Sequence, residues 1–314
     1  MAVVVAAAYE TAASDTDNAR PRAGVDPQLL MAARRGDSKL LEEKLNDDRV
    51  EAAASEEAVV VVDVVPPPPR PTPPPPPPAA ADVIPASSSS LPAAPPPPPP
   101  PPLPLDGVTA EGDTLLHVVA ECGDGLEFRH CARLIYDYDR EKHLLDAPNG
   151  NGDTPLHCAA AAGNAEMISC LLDFAAPATT EIYTEAEKKV AYLRVHNNRG
   201  ETALHHAVRA AAAAAAGNKD KKELALDCIN RLMAADPQLA AIPLPNEKAA
   251  SPLYLAISLG EIDIAEHLFV ISEGNLSCSG PNGRNVLHAA VSFPQGKYRL
   301  CFKLSVVLLL AITT

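Results

Sequence analysis

A dipeptide that returns along the chain limits its fold more than any other feature. Leu-His stands at Leu116-His117, Leu156-His157, Leu204-His205 and Leu287-His288, and Leu253-Tyr254 takes the place between the last two. The intervals run from 34 to 49 residues. A short cap precedes four of the steps: Gly112-Asp113-Thr114, Gly152-Asp153-Thr154, Gly200-Glu201-Thr202 and Ala250-Ser251-Pro252. Recurrence at such a period marks units that cannot bury their apolar faces alone, so neighbours must stack.

The fullest copy runs from Gly150 to Pro177. Asn149-Gly150-Asn151-Gly152 is a turn of residues that tolerate positive φ. Thr154 is placed to cap a helix, with Pro155 at its first position, where the missing N–H costs nothing. Leu156, Ala159 and Ala160 share one face, Gly163-Asn164 ends the helix, and Met167, Ile168, Leu171 and Leu172 recur at helical spacing in a second. Thr154-Pro155-Leu156-His157-Cys158-Ala159 matches the T-P-L-H-x-A signature of the ankyrin repeat, so the chain resembles that family. The resemblance implies an all-α ankyrin-repeat solenoid, helix pairs with protruding finger turns, used to hold protein partners. Thr114, His117, Thr154, Pro155, Leu156, His157, Thr202, His205, Tyr254 and His288 are then repeat positions, where a histidine can hydrogen-bond between neighbouring repeats. Substitution by Tyr254 suits a structural slot better than a ligand.

Five segments follow. Residues 1–25 are expected to be a disordered start, because Ala2–Ala8 has no basic residue before it and polar residues after it. Residues 26–50 predict a capping repeat: Asp26-Pro27 opens a helix with Leu29, Leu30, Ala32 and Ala33, and Leu40, Leu41 and Leu45 line a second. Residues 51–104 hold most of the 33 prolines and cannot join a helix stack, so they are expected to be a disordered, polyproline-prone insertion. Arg70-Pro71-Thr72-Pro73-Pro74-Pro75-Pro76 fits an R-x-x-P-x-x-P ligand for a polyproline-binding domain; a stiff simple-sequence insertion explains it as well. Residues 105–291 carry about five repeats. In the third cap's unit, Ala207–Ala216 predicts an over-long first helix, and Leu224, Leu226, Ile229, Leu232 and Met233 are read as lining the second. Residues 292–314 read as an irregular hydrophobic tail, because Val306–Ile312 is far short of the ~20 residues that cross a bilayer. The last repeat is expected to lack a complete second helix and to fray from about Gly280.

Composition narrows the function. Aromatics make up 4% and tryptophan is absent, which suits thin stacked helices and suits a deep ligand pocket poorly. A net charge of −14 argues against nucleic acid as a partner. Seven scattered cysteines without C-x-x-C suggest small core residues. No nucleophile elbow, phosphate loop or H-E-x-x-H occurs, so neither catalysis nor a cofactor or metal is expected. Partner contact is assigned to variable residues of the finger turns: Asn149, Asn151, Asp153, Asn197, Arg199, Glu201, Asn282 and Arg284. Ordinary turn chemistry accounts for the Asn and Gly among them equally well.

A narrower resemblance rests on Ala235–Ala240 (A-D-P-x-L-A), Ser251–Gly260 (S-P-L-Y-L-A-x-x-x-G) and Gly283–Ala290 (G-R-N-V-L-H-A-A). These are similar to plant ankyrin proteins of the accelerated-cell-death type, in which a PGG-containing transmembrane domain follows the array. That resemblance implies a role in defence or stress signalling at the plasma membrane. This sequence has no P-G-G and no long apolar span. The expectation is a cytoplasmic interaction scaffold, able to sit at the plasma-membrane periphery, with full-length relatives among its candidate partners. The alternative is the cytosolic part of a membrane signalling or transport-related protein.

Overall fold

Several of the described helices start where a side chain takes over the duties of the unpaired N–H groups. In α1, Pro27–Arg35, the Asp26 carboxylate accepts from Gln28 and Leu29, and Gly36 at φ 66° closes the other end. A second helix, α2 (residues 38–47), returns antiparallel to it and buries Leu41 and Leu45. The same unit recurs as α3 (Leu115–Cys122) with α4 (Leu126–Tyr138), and α5 (Pro155–Ala162) with α6 (Ala165–Phe174). It continues as α8 (Ala203–Ala215) with α9 (Lys219–Ala235), and α10 (Pro252–Ser258) with α11 (Ile262–Ile271). The helix α7, Glu185–Leu193, lies between pairs, and α12, Val286–Val291, is the first helix of a further unit. The computed structural model describes residues 24–47, 105, 107–139, 143–175, 185–215, 219–242 and 245–292. The expectations for residues 1–23, for the whole proline-rich insertion at 51–104 and for residues 293–314 lie outside the described residues.

The pairs form two rows. First helices pack in the order α1, α3, α5, α8, α10, α12, and second helices as α4, α6, α9, α11. Ala159 and Ala160 of α5 are fully buried, and their small side chains let α3 and α8 approach from both sides. Met167, Ile168, Leu171 and Leu172 of α6 are buried together, as the 3.6-residue period requires. Neighbouring pairs also cap one another. The Asp124 carboxylate accepts from Glu166 N at 3.1 Å and Met167 N at 2.6 Å, so a residue of one pair caps the next pair's α6. In return the Asn164 amide donates to the Ala120 and Glu121 carbonyls at the end of α3, at 2.8 and 3.1 Å. On the outer row Arg231 donates to Glu166, Ser169 and Asp227, and Arg129 to Glu166 from the other side.

The capping pair packs directly on the pair that follows the proline-rich insertion. Val25 N donates to the Val108 carbonyl, Ser38 to Glu127, and the Phe128 ring lies against Gly36. The repeats on either side of the insertion are therefore direct neighbours in the stack.

Two details differ from the sequence reading. On α9 the buried face is Ala225, Cys228, Ile229, Leu232 and Met233, whereas Leu224 is 51% exposed. Leu224 is adjacent to Ala225 and points a quarter-turn away, and hydrophobicity alone does not separate two neighbouring apolar residues on one helix. The cysteines also divide. Cys131 and Cys228 are core residues whose thiols burial pushes up to about 11 and about 12, but Cys122 is exposed and Cys158, Cys170 and Cys278 are half-buried. The over-long first helix is present as α8, with 13 residues against 8 in α5.

Candidate functional site

The finger turns and the first-helix row make one connected surface. Three of the fingers are closed by an asparagine, and the one at Asp113 by the Thr109 hydroxyl, which accepts from Asp113 N. Asn149 Oδ1 accepts from Asn151 N and Asp153 N, both at 2.9 Å. Asn197 Oδ1 accepts from Arg199 N and Glu201 N at 2.9 and 3.0 Å, and Asn246 does the same for Lys248 and Ala249. The amide end of the same side chain reaches the previous finger. Asn149 Nδ2 donates to Asp113 and Asn197 Nδ2 to Asp153, each at 2.7 Å. Backbone bonds complete a ladder: Gly150 N to the Glu111 carbonyl, Asn198 N to that of Asn151, and Asn282 N to that of Glu247.

Behind the fingers a histidine closes three of the joints. Thr114 N donates to His117 Nδ1 at 3.2 Å, which leaves Nε2–H to donate to the Asp153 carbonyl of the next finger at 2.8 Å. Thr154, His157 and the Glu201 carbonyl repeat this, and so do Thr202, His205 and the Ala250 carbonyl, with Nε2 distances of 3.1 and 2.7 Å. Burial holds all three rings neutral: the His117 pKa is lowered, that of His157 falls to about 3 and that of His205 to about 4. At Tyr254 the ring packs on Gly280, and the link between repeats passes to the backbone, with Ser251 N donating to the Ser279 carbonyl at 2.9 Å. Asn285 and His288 repeat the cap, but His288 is exposed.

The named contact residues fall into two groups. Asn151, Arg199, Asn282 and Arg284 are exposed at the fingertips. Asp153, Asn197 and Glu201 are buried and Asn149 half-buried, because their polar atoms are used inside the ladder. Asn197→Ala should leave the Asp153 carboxylate and two backbone N–H groups short of partners, at a cost of about 1–3 kcal/mol. Asn151→Ala should change stability by less than about 0.5 kcal/mol. Urea midpoints of the two variants check the division, and equal midpoints would refute it.

A polar cluster on the inner face was not visible in the sequence. His206 Nε2 lies 3.2 Å from Asn197 Nδ2, 3.4 Å from Asp153 Oδ1 and 3.9 Å from Glu201 Oε2, and its ring meets that of His157 edge-on. Arg209 pairs closely with Glu201. Burial lowers the His206 pKa, and Asp153 and Glu201 oppose that shift. The sequence shows a His205-His206 pair facing different ways; the acids that flank His206 come from two separate fingers, which spacing does not join. Among the described residues no group of His, Cys, Asp and Glu is placed to hold a metal ion. No described helix is long and apolar enough to cross a membrane.

Residues 116–217 match the family model described as ankyrin repeats (3 copies). No curated protein matches the chain. Among solved structures, that of EF0377, an ankyrin repeat protein, is similar with 17% identity and a TM-score of 0.49, covering 90% of this chain and 96% of that one. The matched span holds the joint histidines His117, His157 and His205, and the stack of helix pairs built around them has the fold of an ankyrin-repeat solenoid.

Proposed function

We propose that the chain is a non-catalytic scaffold that holds protein partners on its fingertips and first-helix row. The observation that carries this reading is a rigid backbone under free side chains. The finger backbones are tied to one another, while Asn151, Arg199, Asn282 and Arg284 project from them unburied. Side chains displayed from a fixed frame lose little freedom on binding, which favours specific recognition. Stacked repeats commonly use such extended surfaces to bind other proteins.

The narrower resemblance to accelerated-cell-death proteins supports a role in plant defence or stress signalling, in the cytoplasm and near the plasma membrane. The proline tract supports a second contact with a polyproline-binding domain. Affinity capture with the whole chain tests the reading when run beside two variants. One carries Asn151→Ala, Arg199→Glu and Arg284→Glu; the other lacks residues 66–102. Proteins lost only from the fingertip variant are the expected outcome. Identical capture by the chain and the fingertip variant would sink the fingertip assignment, and losses only from the deletion would move recognition to the proline tract.

A further inference from the structure

The unit that begins at Gly200 departs from its neighbours in a way the fold does not require. The place after the joint residue holds Val118, Cys158, Leu255 or Ala289 in the other repeats, and His206 here. Three places further on stand Ala161 in the unit before and Ser258 in the unit after, and Arg209 here. Four places ahead of the joint residue, Ala250 serves in the unit after, and Glu201 here. An imidazole, a guanidinium and a carboxylate thus meet in one repeat, where its neighbours manage with uncharged side chains.

The ion pair in this unit is incomplete. Arg209 reaches Glu201 through one terminal nitrogen and Oε1 alone, although an arginine and a carboxylate can form two parallel bonds. Among the described residues, Glu201 Oε2 and Arg209 Nε are left buried with no hydrogen-bond partner. The Glu201 side chain is only 9% exposed, and His206 Nε2, 3.9 Å from Oε2, is too far away to serve it. Two unpaired buried atoms cost stability that a pair of alanines at the same places would not. A local rule broken in one repeat and kept in the others marks a site with a use beyond folding.

The two orphan atoms are complementary. One accepts, the other donates, and they belong to the two ends of one ion pair. The charges around His206 balance, Asp153 and Glu201 against Arg199 and Arg209, so neither a cation nor an anion is favoured there. A carboxamide donates and accepts without carrying charge. Arg209, 41% exposed, is the side chain whose movement opens the approach, and the equivalent place on α5 is the exposed and small Ala161. We infer that this cluster takes the side-chain carboxamide of an asparagine or glutamine of the partner, which donates to Glu201 Oε2 and accepts from Arg209 Nε. The inference rests on the partner-holding reading above and adds an inner contact to those at the fingertips.

NMR of the intact chain tests this, reading the His206 ring while N-acetylglutamine amide is added. A saturable shift is expected, with a dissociation constant at least about tenfold lower than for N-acetylalanine amide, because two bonds to charged groups are gained. The His117 ring, in another joint, should not move. The double variant Glu201→Ala, Arg209→Ala should abolish the difference between the compounds without lowering the urea midpoint, since both orphan atoms leave together. Equal constants for the two compounds would assign the response to backbone amides and overturn the inference. Tighter binding of N-acetylarginine amide or N-acetylglutamate amide would make this a site for charge and would overturn it as well. So would a lowered midpoint in the double variant, which would make the pair a structural device. Absence of any shift would remove this site alone, because the fingertip capture experiment decides the scaffold reading independently.

Discussion

Acidification from pH 7.5 to pH 5 will destabilise this protein strongly, before most of its carboxylates begin to protonate. His117, His157 and His205 are held neutral by burial, with pKa values lowered in general and to about 3 and about 4 for the last two. The unfolded chain has imidazoles near 6.5 and so takes up protons first. Stability is therefore complete above about pH 6.5 and falls as the pH drops toward the folded values, by up to about 1.4 kcal/mol per pH unit for each ring. Burial lowers His196 and His206 in the same direction. Asp146, whose carboxyl burial raises, acts oppositely, in the lower range where carboxylates titrate. Urea denaturation at several pH values checks this. A midpoint unchanged between pH 7.5 and pH 5 would mean that the rings are not held neutral. A chain carrying His157→Asn and His205→Asn should be weaker at pH 7.5 but should lose less on acidification.

The second large effect is expected at a finger. Gly152→Ala should cost about 2–4 kcal/mol, because two penalties combine. The residue sits at φ 77°, and a Cβ there would come within 2.7 Å of Asn198 N and 2.6 Å of its Oδ1. Relief would push the next finger away and stretch the bond from Asn198 N to the Asn151 carbonyl. Gly283 provides the comparison, with φ 71° and nothing within 4 Å of a built Cβ. Gly283→Ala should cost only about 1–2 kcal/mol, the backbone strain alone. Similar melting temperatures for the two variants would show that finger-to-finger contact contributes little.

What could be read from the sequence was whatever repeats. The caps, the histidine slot and the buried quartet of α6 stand at fixed offsets, and each appears in the structure where the period places it. The long α8 was legible because an alanine run has only one strong preference. Leu224 was misplaced because the residue beside it, Ala225, takes the core position with a smaller side chain. The finger residues were harder. Asp153, Asn197 and Glu201 occur in turns, where polar side chains are ordinarily exposed, and only the packing of one finger on the next buries them. The acids around His206 come from residues 153 and 201, a separation set by the insertion that carries α7. That insertion is itself held down, since Arg194 makes a two-pronged pair with Asp236, at 2.6 and 3.1 Å.

The direct packing of α1 and α2 on α3 and α4 makes the joint between them tolerant of length. A segment that joins two units already packed on each other closes a loop between fixed ends, so its length enters stability only through the weak cost of loop closure. Doubling a flexible loop costs only about 0.6 kcal/mol, less than a typical core substitution. Simple-sequence tracts can therefore lengthen, shorten or change composition there with almost no selection from folding. A binding tract can be gained or lost at this joint while the solenoid keeps its register, so the two parts of the molecule are free to evolve at different speeds.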